Sequence, residues 1–283
     1  MDGFVFIDKP VGCTSKEVSM QVGKLFHTKK VGHIGTLDPF ASGLLMIMVD
    51  KATKTLICFE DFSKRYVATI KLGEFRDSMD ITGNVVETSE VPNLTKIEIE
   101  NTLKSFLGKS NQTVPLTSAV HVNGVRLYEY AHRGKSVELP TREIEVFDIK
   151  LIDYSKDEIT FEAYVSKGTY IRVLGADIAK KLGSIGYLKS LRRISAGPFD
   201  VNEAVSLEAL KEDDVKPVGE TLSRFIKSRI VDDVEALDIK NGKIKVYPLE
   251  TSTDKLLILD QENNPIALYT NIDNQYIFRR GLF

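Results

Sequence analysis

Gly32-His33-Ile34-Gly35-Thr36-Leu37-Asp38-Pro39-Phe40-Ala41-Ser42-Gly43-Leu44-Leu45 sets one carboxylate among three glycines and a proline, and an apolar run follows at once. Glycine lets a backbone take positive φ and come close to a neighbour. Proline fixes φ directly after the acid. The stretch predicts a stiff turn that presents Asp38 at the end of a buried strand, residues 44–49. An aspartate beside proline and glycine is by itself most often a turn or cap residue, so the pattern alone leaves a structural and a functional reading open.

Working outward, residues 4–7 read as a short buried strand. Thr14-x-x-Glu17 is a capping box, and Val18, Val22, Leu25 and Phe26 behind it share a helical face. Residues 66–72 alternate like a half-buried strand, and residues 77–84 form a polar turn. Thr95-x-x-Glu98 is a second capping box, followed by Ile99, Leu103, Phe106 and Leu107 on one face. Residues 110–135 read as a long irregular segment, and residues 144–154 and 159–166 as strands. A helix is predicted over residues 173–182, with Gly183 as its C′ residue. From about residue 216 short strands are predicted at 244–247, 256–260, 266–270 and 276–279, broken by turns such as Glu262-Asn263-Asn264-Pro265. The fold class expected is α+β: a mixed, mainly antiparallel sheet with flanking helices, plus a small β-rich C-terminal module. The division expected is a catalytic domain over residues 1–215 and the module over residues 216–283.

The 283 residues, 42% of them hydrophobic, suffice for a real core. No apolar stretch approaches the ~18–20 residues that span a bilayer. Residues 1–9 carry Asp2 and Asp8 and read as no signal peptide. Two cysteines, Cys13 and Cys58, make no disulfide framework and fit a reducing cytoplasm. Four histidines without metal-ligand spacing or a CxxC predict no metal. No G-x-x-x-x-G-K-[ST] phosphate loop occurs, which argues against a nucleotide-phosphate enzyme. The net charge of −2 hides an asymmetry: residues 101–200 hold 15 basic and 11 acidic side chains, and residues 201–283 hold 11 and 15. A phosphate-binding surface is therefore expected to draw on the middle third.

The Asp38 string closely resembles the GHxGTLDPxAxGxL signature of the bacterial tRNA pseudouridine-55 synthases, the TruB family. Gly3-Phe4-Val5-Phe6-Ile7-Asp8-Lys9-Pro10-Val11-Gly12 resembles that family's G-x-x-x-x-D-K-P-x-G. Lys64-Arg65-Tyr66 matches its K-x-Y, Gly168-Thr169-Tyr170-Ile171-Arg172 its G-T-Y-I-R, and Leu191-Arg192-Arg193 its L-R-R. The matches keep the family's order over residues 3–199. The resemblance implies isomerisation of uridine 55 in the T loop of tRNA to pseudouridine, with the target base flipped out of its stack. It gives Asp38 the role of nucleophile, at C1′, at C6 or through the 2′ proton, and needs no cofactor.

The resemblance also distributes the other roles. Arg172 is the partner that keeps Asp38 ionised and oriented; without the family match it would read as a solvent-facing arginine. Tyr66 is the stacking platform, where a lone strand tyrosine would read as core. Tyr170 and Leu191 line the pocket, and His33 lies against the RNA loop. Lys9, Pro10 and Gly35 support the catalytic turn. Lys64, Lys181, Arg192 and Arg193 are expected at phosphates, as are Arg126 and Arg133 in an RNA-gripping thumb insertion at about 109–135. There the family's Q-x-P-P-x-Y-S-A-x-K is altered to Gln112-Thr113-Val114-Pro115-Leu116-Thr117-Ser118-Ala119-Val120-His121. Arg76-Asp77-Ser78-Met79-Asp80 likewise stands where T-D-T-x-D is usual. The partner implied is tRNA, through its T stem-loop, bound by a monomer in the cytoplasm with no membrane. The competing class is an RNA-binding or tRNA-folding protein whose enzymatic activity is lost or secondary, and the intact Asp38, Tyr66 and Arg172 argue against loss.

Overall fold

The computed structural model describes residues 2–243, 245–249 and 253–282. The chain opens with strand β1 (Gly3–Lys9), helix α1 (Ser15–Leu25), β2 (Val31–Ile34) and β3 (Ser42–Val49). β4 (Lys64–Leu72) leads to a small hairpin, β5 (Glu74–Arg76) and β6 (Val85–Thr88), then α2 (Lys96–Lys104) and β7 (Gly108–Thr113). A second small hairpin, β8 (His121–Val122) and β9 (Val125–Arg126), runs into the short α3 (Leu127–His132). The long pair β10 (Thr141–Tyr154) and β11 (Glu158–Val165) follows, then α4 (Ile171–Lys181), β12 (Gly186–Ala196) and β13 (Phe199–Asp200). Beyond residue 216 come α5 (Val218–Ser223), β14 (Lys227–Ile230), α6 (Asp233–Lys240), β15 (Tyr247–Pro248), β16 (Lys255–Leu259), β17 (Pro265–Ile272) and β18 (Gln275–Gly281).

Both capping boxes form: Thr14 and Thr95 each accept from the backbone three residues on, and Glu17 and Glu98 answer to the cap N–H. α4 begins two residues earlier than its apolar spacing predicts, and Gly183 behind it takes φ +79°. The expected irregular stretch 110–135 is only partly irregular. Its first residues belong to β7, which pairs with β10 at the edge of the main sheet. That edge strand is polar and largely exposed, so it lacks the alternation by which strands are recognised. Ile244, the first residue of one predicted C-terminal strand, lies outside the described residues.

The main sheet runs in the order β1-β3-β12-β4-β11-β10-β7, with β2 on β3 and β13 on β12. Every pairing in it is antiparallel except β12 with β3. One row crosses five strands: Lys9 pairs with Gly43, Gly43 with Arg193, Arg193 with Tyr66, and Tyr66 with Ala163. Residues paired across strands send their side chains to a common face. Helices α1 and α4 cover that face, and their Val18, Val22, Leu174 and Ile178 join Tyr66 and Leu191 of the sheet in one apolar core.

The second sheet, β14-β16-β17-β18-β15, is smaller. It does not close a core wholly of its own. Phe4, Phe6, Met46 and Phe59 from the first 215 residues share a buried cluster with Val218, Leu222, Leu257, Leu268 and Leu282. The Phe225 ring stands 5.1 Å from Phe59 and 4.8 Å from Phe62, and it is partly buried against the same cluster. The backbone of Lys216 also bonds both ways with Phe4, closing the outer edge of β1.

Candidate active site

The turn between β2 and β3 is tied down from three sides. Leu37 and Phe40, flanking Asp38, are buried. Ser15, at the start of α1, donates its hydroxyl to the Leu37 carbonyl at 3.0 Å and accepts from the Leu37 N–H at 2.9 Å. Lys9 is fully buried and donates to the carbonyls of Pro10 at 2.8 Å and Ala41 at 2.7 Å, with Pro39 at 3.4 Å. Burial pulls the Lys9 amine below its usual range, against the raising effect of Cys13 and Asp38. Arg193 donates from Nε to the Leu44 carbonyl at 2.7 Å and from Nη2 to that of Gly35 at 2.8 Å, joining the two shoulders of the turn. Gly35 takes φ +67°, and its missing side chain leaves room for the Arg193 fork.

Asp38 emerges from this frame with 36% of its side-chain surface open. Its Oδ2 lies 2.9 Å from Nε of Arg172, whose own side chain is 4% exposed. The rest of the Arg172 fork is fully engaged. Nη1 donates to the Ser78 carbonyl at 2.8 Å and to the Thr117 hydroxyl at 2.7 Å, and Nη2 to the Thr117 carbonyl at 3.1 Å. Asp80, itself buried, brings Oδ2 to 3.5 Å from Nη1. One guanidinium thus stands between two carboxylates. Burial pushes the Asp38 carboxyl above its ordinary range, Arg172 pulls it back, and Asp80 pushes it up again. The result is a reachable carboxylate, oriented by a fixed cation and less stabilised than one in water.

The remaining residues expected at the site divide into those the fold gathers and those it does not. Tyr66 and Leu191 lie within the same buried cluster as Leu37 and Phe40. Tyr170 precedes α4, and Gln112 holds its backbone: Tyr170 N–H donates to Gln112 Oε1 at 2.8 Å, and Gln112 Nε2 returns a bond to the Tyr170 carbonyl at 3.1 Å. Arg142 covers the Tyr170 ring at 5.6 Å. His33 sits at the mouth of the turn, with Nδ1 3.3 Å from Ser19 Oγ and Nε2 3.0 Å from Thr36 Oγ1. Because Ser19 spends its proton on the Ser15 carbonyl, it accepts from Nδ1, and Nε2 is left as acceptor. Burial and the Arg193 charge hold His33 below its usual value, so the ring is neutral at pH 7.

Arg193 is not where a phosphate ligand would stand. Expected at RNA, it is 1% exposed and spends its donors on the turn that carries Asp38. Arg192 faces outward, but both its Nη atoms close on Asp8, at 2.9 and 2.7 Å. The L-R-R stretch and the D-K-P stretch therefore brace each other. Lys64 is half-buried beside Gly35, donates to the Phe62 carbonyl at 2.7 Å, and is pushed down to about 8 by burial and by Arg193. Arg126, Arg133 and Lys181 are exposed. Arg133 pairs with Glu129 at 3.1 Å, Arg126 reaches the Tyr128 hydroxyl at 3.3 Å, and Lys181 lies over the Phe106 ring at 5.3 Å. Asp80, Thr117, Gln112 and Ser15 are the contacts that sequence reasoning missed. The first three lie in the stretches where this chain departs from the usual pattern. Among the described residues, no three His, Cys, Asp or Glu side chains gather as a metal site, and no helix is long and apolar enough to cross a membrane.

The sequence and the fold are both similar to those of known proteins. The chain is 44% identical over 218 residues to the tRNA pseudouridine synthase B of Caldicellulosiruptor saccharolyticus, covering 77% of this chain and 75% of that one. It is 34% identical over 285 residues to that of Onion yellows phytoplasma, covering all of both, and 37% identical to that of Bacillus subtilis over 95% of this chain and 93% of that one. The fold matches a chain of a Cbf5-Nop10-Gar1 complex with a TM-score of 0.76, at 22% identity, over 99% of this chain and 85% of that chain. Residues 23–171 match the TruB family pseudouridylate synthase N-terminal domain. Asp38, its turn and the arginine that faces it all lie within or one residue beyond that match, and the chain belongs to the TruB family of pseudouridine synthases.

Proposed function

We propose that this protein converts uridine 55 in the T loop of tRNA to pseudouridine, with Asp38 as the nucleophile. The observation that carries the reading is a part-open carboxylate held at 2.9 Å by a buried arginine. In the reaction the N1–C1′ bond breaks, the uracil turns, a C5–C1′ bond forms, the C5 proton leaves and N1 takes one up. Atoms balance within the nucleoside, so no redox partner, energy source or cofactor is required. A carboxylate raised above its ordinary range is a better nucleophile and base than a free one, provided that Arg172 keeps it ionised. Tyr66 supplies an aromatic surface for the flipped base, with Leu191 and Tyr170 as pocket walls. RNA engagement draws on the exposed Arg126, Arg133 and Lys181. The loop is read by shape and by its splayed bases. Residues 1–215 form the catalytic unit and residues 216–283 the β-rich module of a monomer acting in the cytoplasm.

The test is to incubate the pure protein with unmodified tRNA in excess chelator and map pseudouridine by position. Conversion at position 55 by the native chain, and none by Asp38→Asn, is the expected result. Conversion elsewhere alone, or substantial turnover by Asp38→Asn, overturns the reading.

A further inference from the structure

We propose that Thr117 is a positioning residue for Arg172, gripping the Nη end of the guanidinium from the 109–135 segment so that the Nε end stays on Asp38. This inference rests on Asp38 being the reacting carboxylate. Three separate stretches hold one fork: the catalytic turn through Asp38, the 77–84 turn through Ser78 and Asp80, and the 109–135 segment through Thr117. Of these, Thr117 alone uses both side chain and main chain. Its hydroxyl accepts from Nη1 at 2.7 Å, and its carbonyl accepts from Nη2 at 3.1 Å. A threonine is short enough for both oxygens to meet the same planar group. A tyrosine, usual at this position of the family pattern, carries its hydroxyl a ring's length away.

The setting gives this grip consequence. The Asp80 carboxylate is also near Nη1, at 3.5 Å. Without the Thr117 hydroxyl, Nη1 keeps only the Ser78 carbonyl as a neutral acceptor, and the fork can turn toward Asp80 and open its contact with Asp38. Thr117 is neutral, so it holds the fork without drawing charge away from Asp38. Next to it the Ser118 hydroxyl is buried and has no hydrogen-bond partner among the described residues. Gln112, at the base of the same segment, clamps the Tyr170 backbone two residues before Arg172. The segment proposed to grip RNA is thus fastened to the start of α4 at two points.

The experiment uses the full chain with Thr117→Val, which keeps the shape and the main-chain acceptor but removes the hydroxyl, and Thr117→Ser, which keeps the hydroxyl. Single-turnover rates on T-loop tRNA are measured across pH, with tRNA affinity measured alongside. The charged groups facing Asp38 are Arg172 on α4, Asp80 on the 77–84 turn and Lys9 on β1, and none of them is altered. Thr117→Val is expected to lose about tenfold in rate, the scale of a lost charge-assisted hydrogen bond. Its acid limb moves to higher pH, because a loosened Arg172 leaves burial to raise Asp38 further. Affinity stays within about twofold, a few tenths of a kcal/mol, and Thr117→Ser restores both rate and limb. A Thr117→Val protein with native rate, or one whose rate falls with no movement of the acid limb, overturns the proposal. If Thr117→Val does not fold, Thr117→Ala against Thr117→Ser makes the same comparison. A native chain silent at uridine 55 sinks the underlying reading instead, so the two failures are told apart.

Discussion

At the scale of the residue, Asp38 is held in a state that folding does not favour. Its carboxyl is raised above its unfolded value, chiefly by burial. A raised acid binds more protons folded than unfolded between its two pKa values, so its destabilising effect is fully present above the folded pKa and fades as pH falls through it. Asp38→Asn is therefore expected to lose turnover while melting at or above the native temperature at pH 7. The gap should close on acidification. Melting curves of both proteins at several pH values check this, and a lower melting temperature for Asp38→Asn at neutral pH would make Asp38 a structural ion-pair member. The same upward shift places the acid limb of native turnover above the ordinary carboxylate range, which a rate profile through the acid range reads directly. Much of this site was legible in the motif string, because Asp38 and Arg172 sit in stretches with a family pattern. Arg193 was misread for a physical reason: arginines are almost always at the surface. The clue lay in Gly35 and Gly43, two positive-φ glycines that make space for it. Asp80 and Thr117 meet Arg172 across 92 and 55 residues of chain, a distance no local pattern spans.

At the scale of the element, the site hangs on one row of the main sheet. Lys9, Arg193 and Tyr66 take their places because β1, β3, β12 and β4 lie side by side with Gly43 in the row. Gly43 has φ +102°, and a Cβ there would overlap the Arg193 backbone. Gly43→Ala is expected to destabilise the fold by about 2 kcal/mol or more. It should also cost turnover beyond the share of molecules unfolded, since it pushes β12 from β3 and draws Arg193 off Gly35. Urea titration with parallel rate measurements tests both parts, and a variant with native stability and rate would remove the row from the explanation. β12 gave no such signal, its apolar positions being interrupted by Lys189, Ser190, Arg192 and Arg193, while the other strands of this row were read from alternation and apolar runs. Their order was not, because the one parallel contact, β12 on β3, joins residues about 150 apart. β7 was lost among loop residues because an edge strand facing water carries polar side chains on most positions.

At the scale of the whole molecule, the two sheets are less separable than the shift in composition at residue 216 suggests. Phe4, Phe6 and Phe59 are all but fully buried, and the cluster that covers them includes Val218, Leu222 and Leu257. Each large apolar side chain uncovered costs about 1.5–3 kcal/mol, against a net stability of about 5–15 kcal/mol. A chain cut after residue 215 is therefore expected to lose its near-ultraviolet signature, bind a hydrophobic dye and show no turnover, although the motif stretches all precede the cut. A truncated chain that melts cooperatively near the native temperature would restore the separable division expected from composition. The position of β12 carries a consequence for the order in which the protein comes into being. On a ribosome, residues 1–185 emerge first and already hold Asp38, Tyr66 and Arg172. They lack the strand that sits between β3 and β4, so the nascent chain has two half-sheets with open, apolar flanks. Long-range pairing of this kind is slow and leaves sticky edges exposed while it waits. The late arrival of β12 unites the halves and delivers the arginine that fastens the Asp38 turn, and the second sheet must still follow to cover Phe4, Phe6 and Phe59, so the last residues made are the ones that end the exposure of the first.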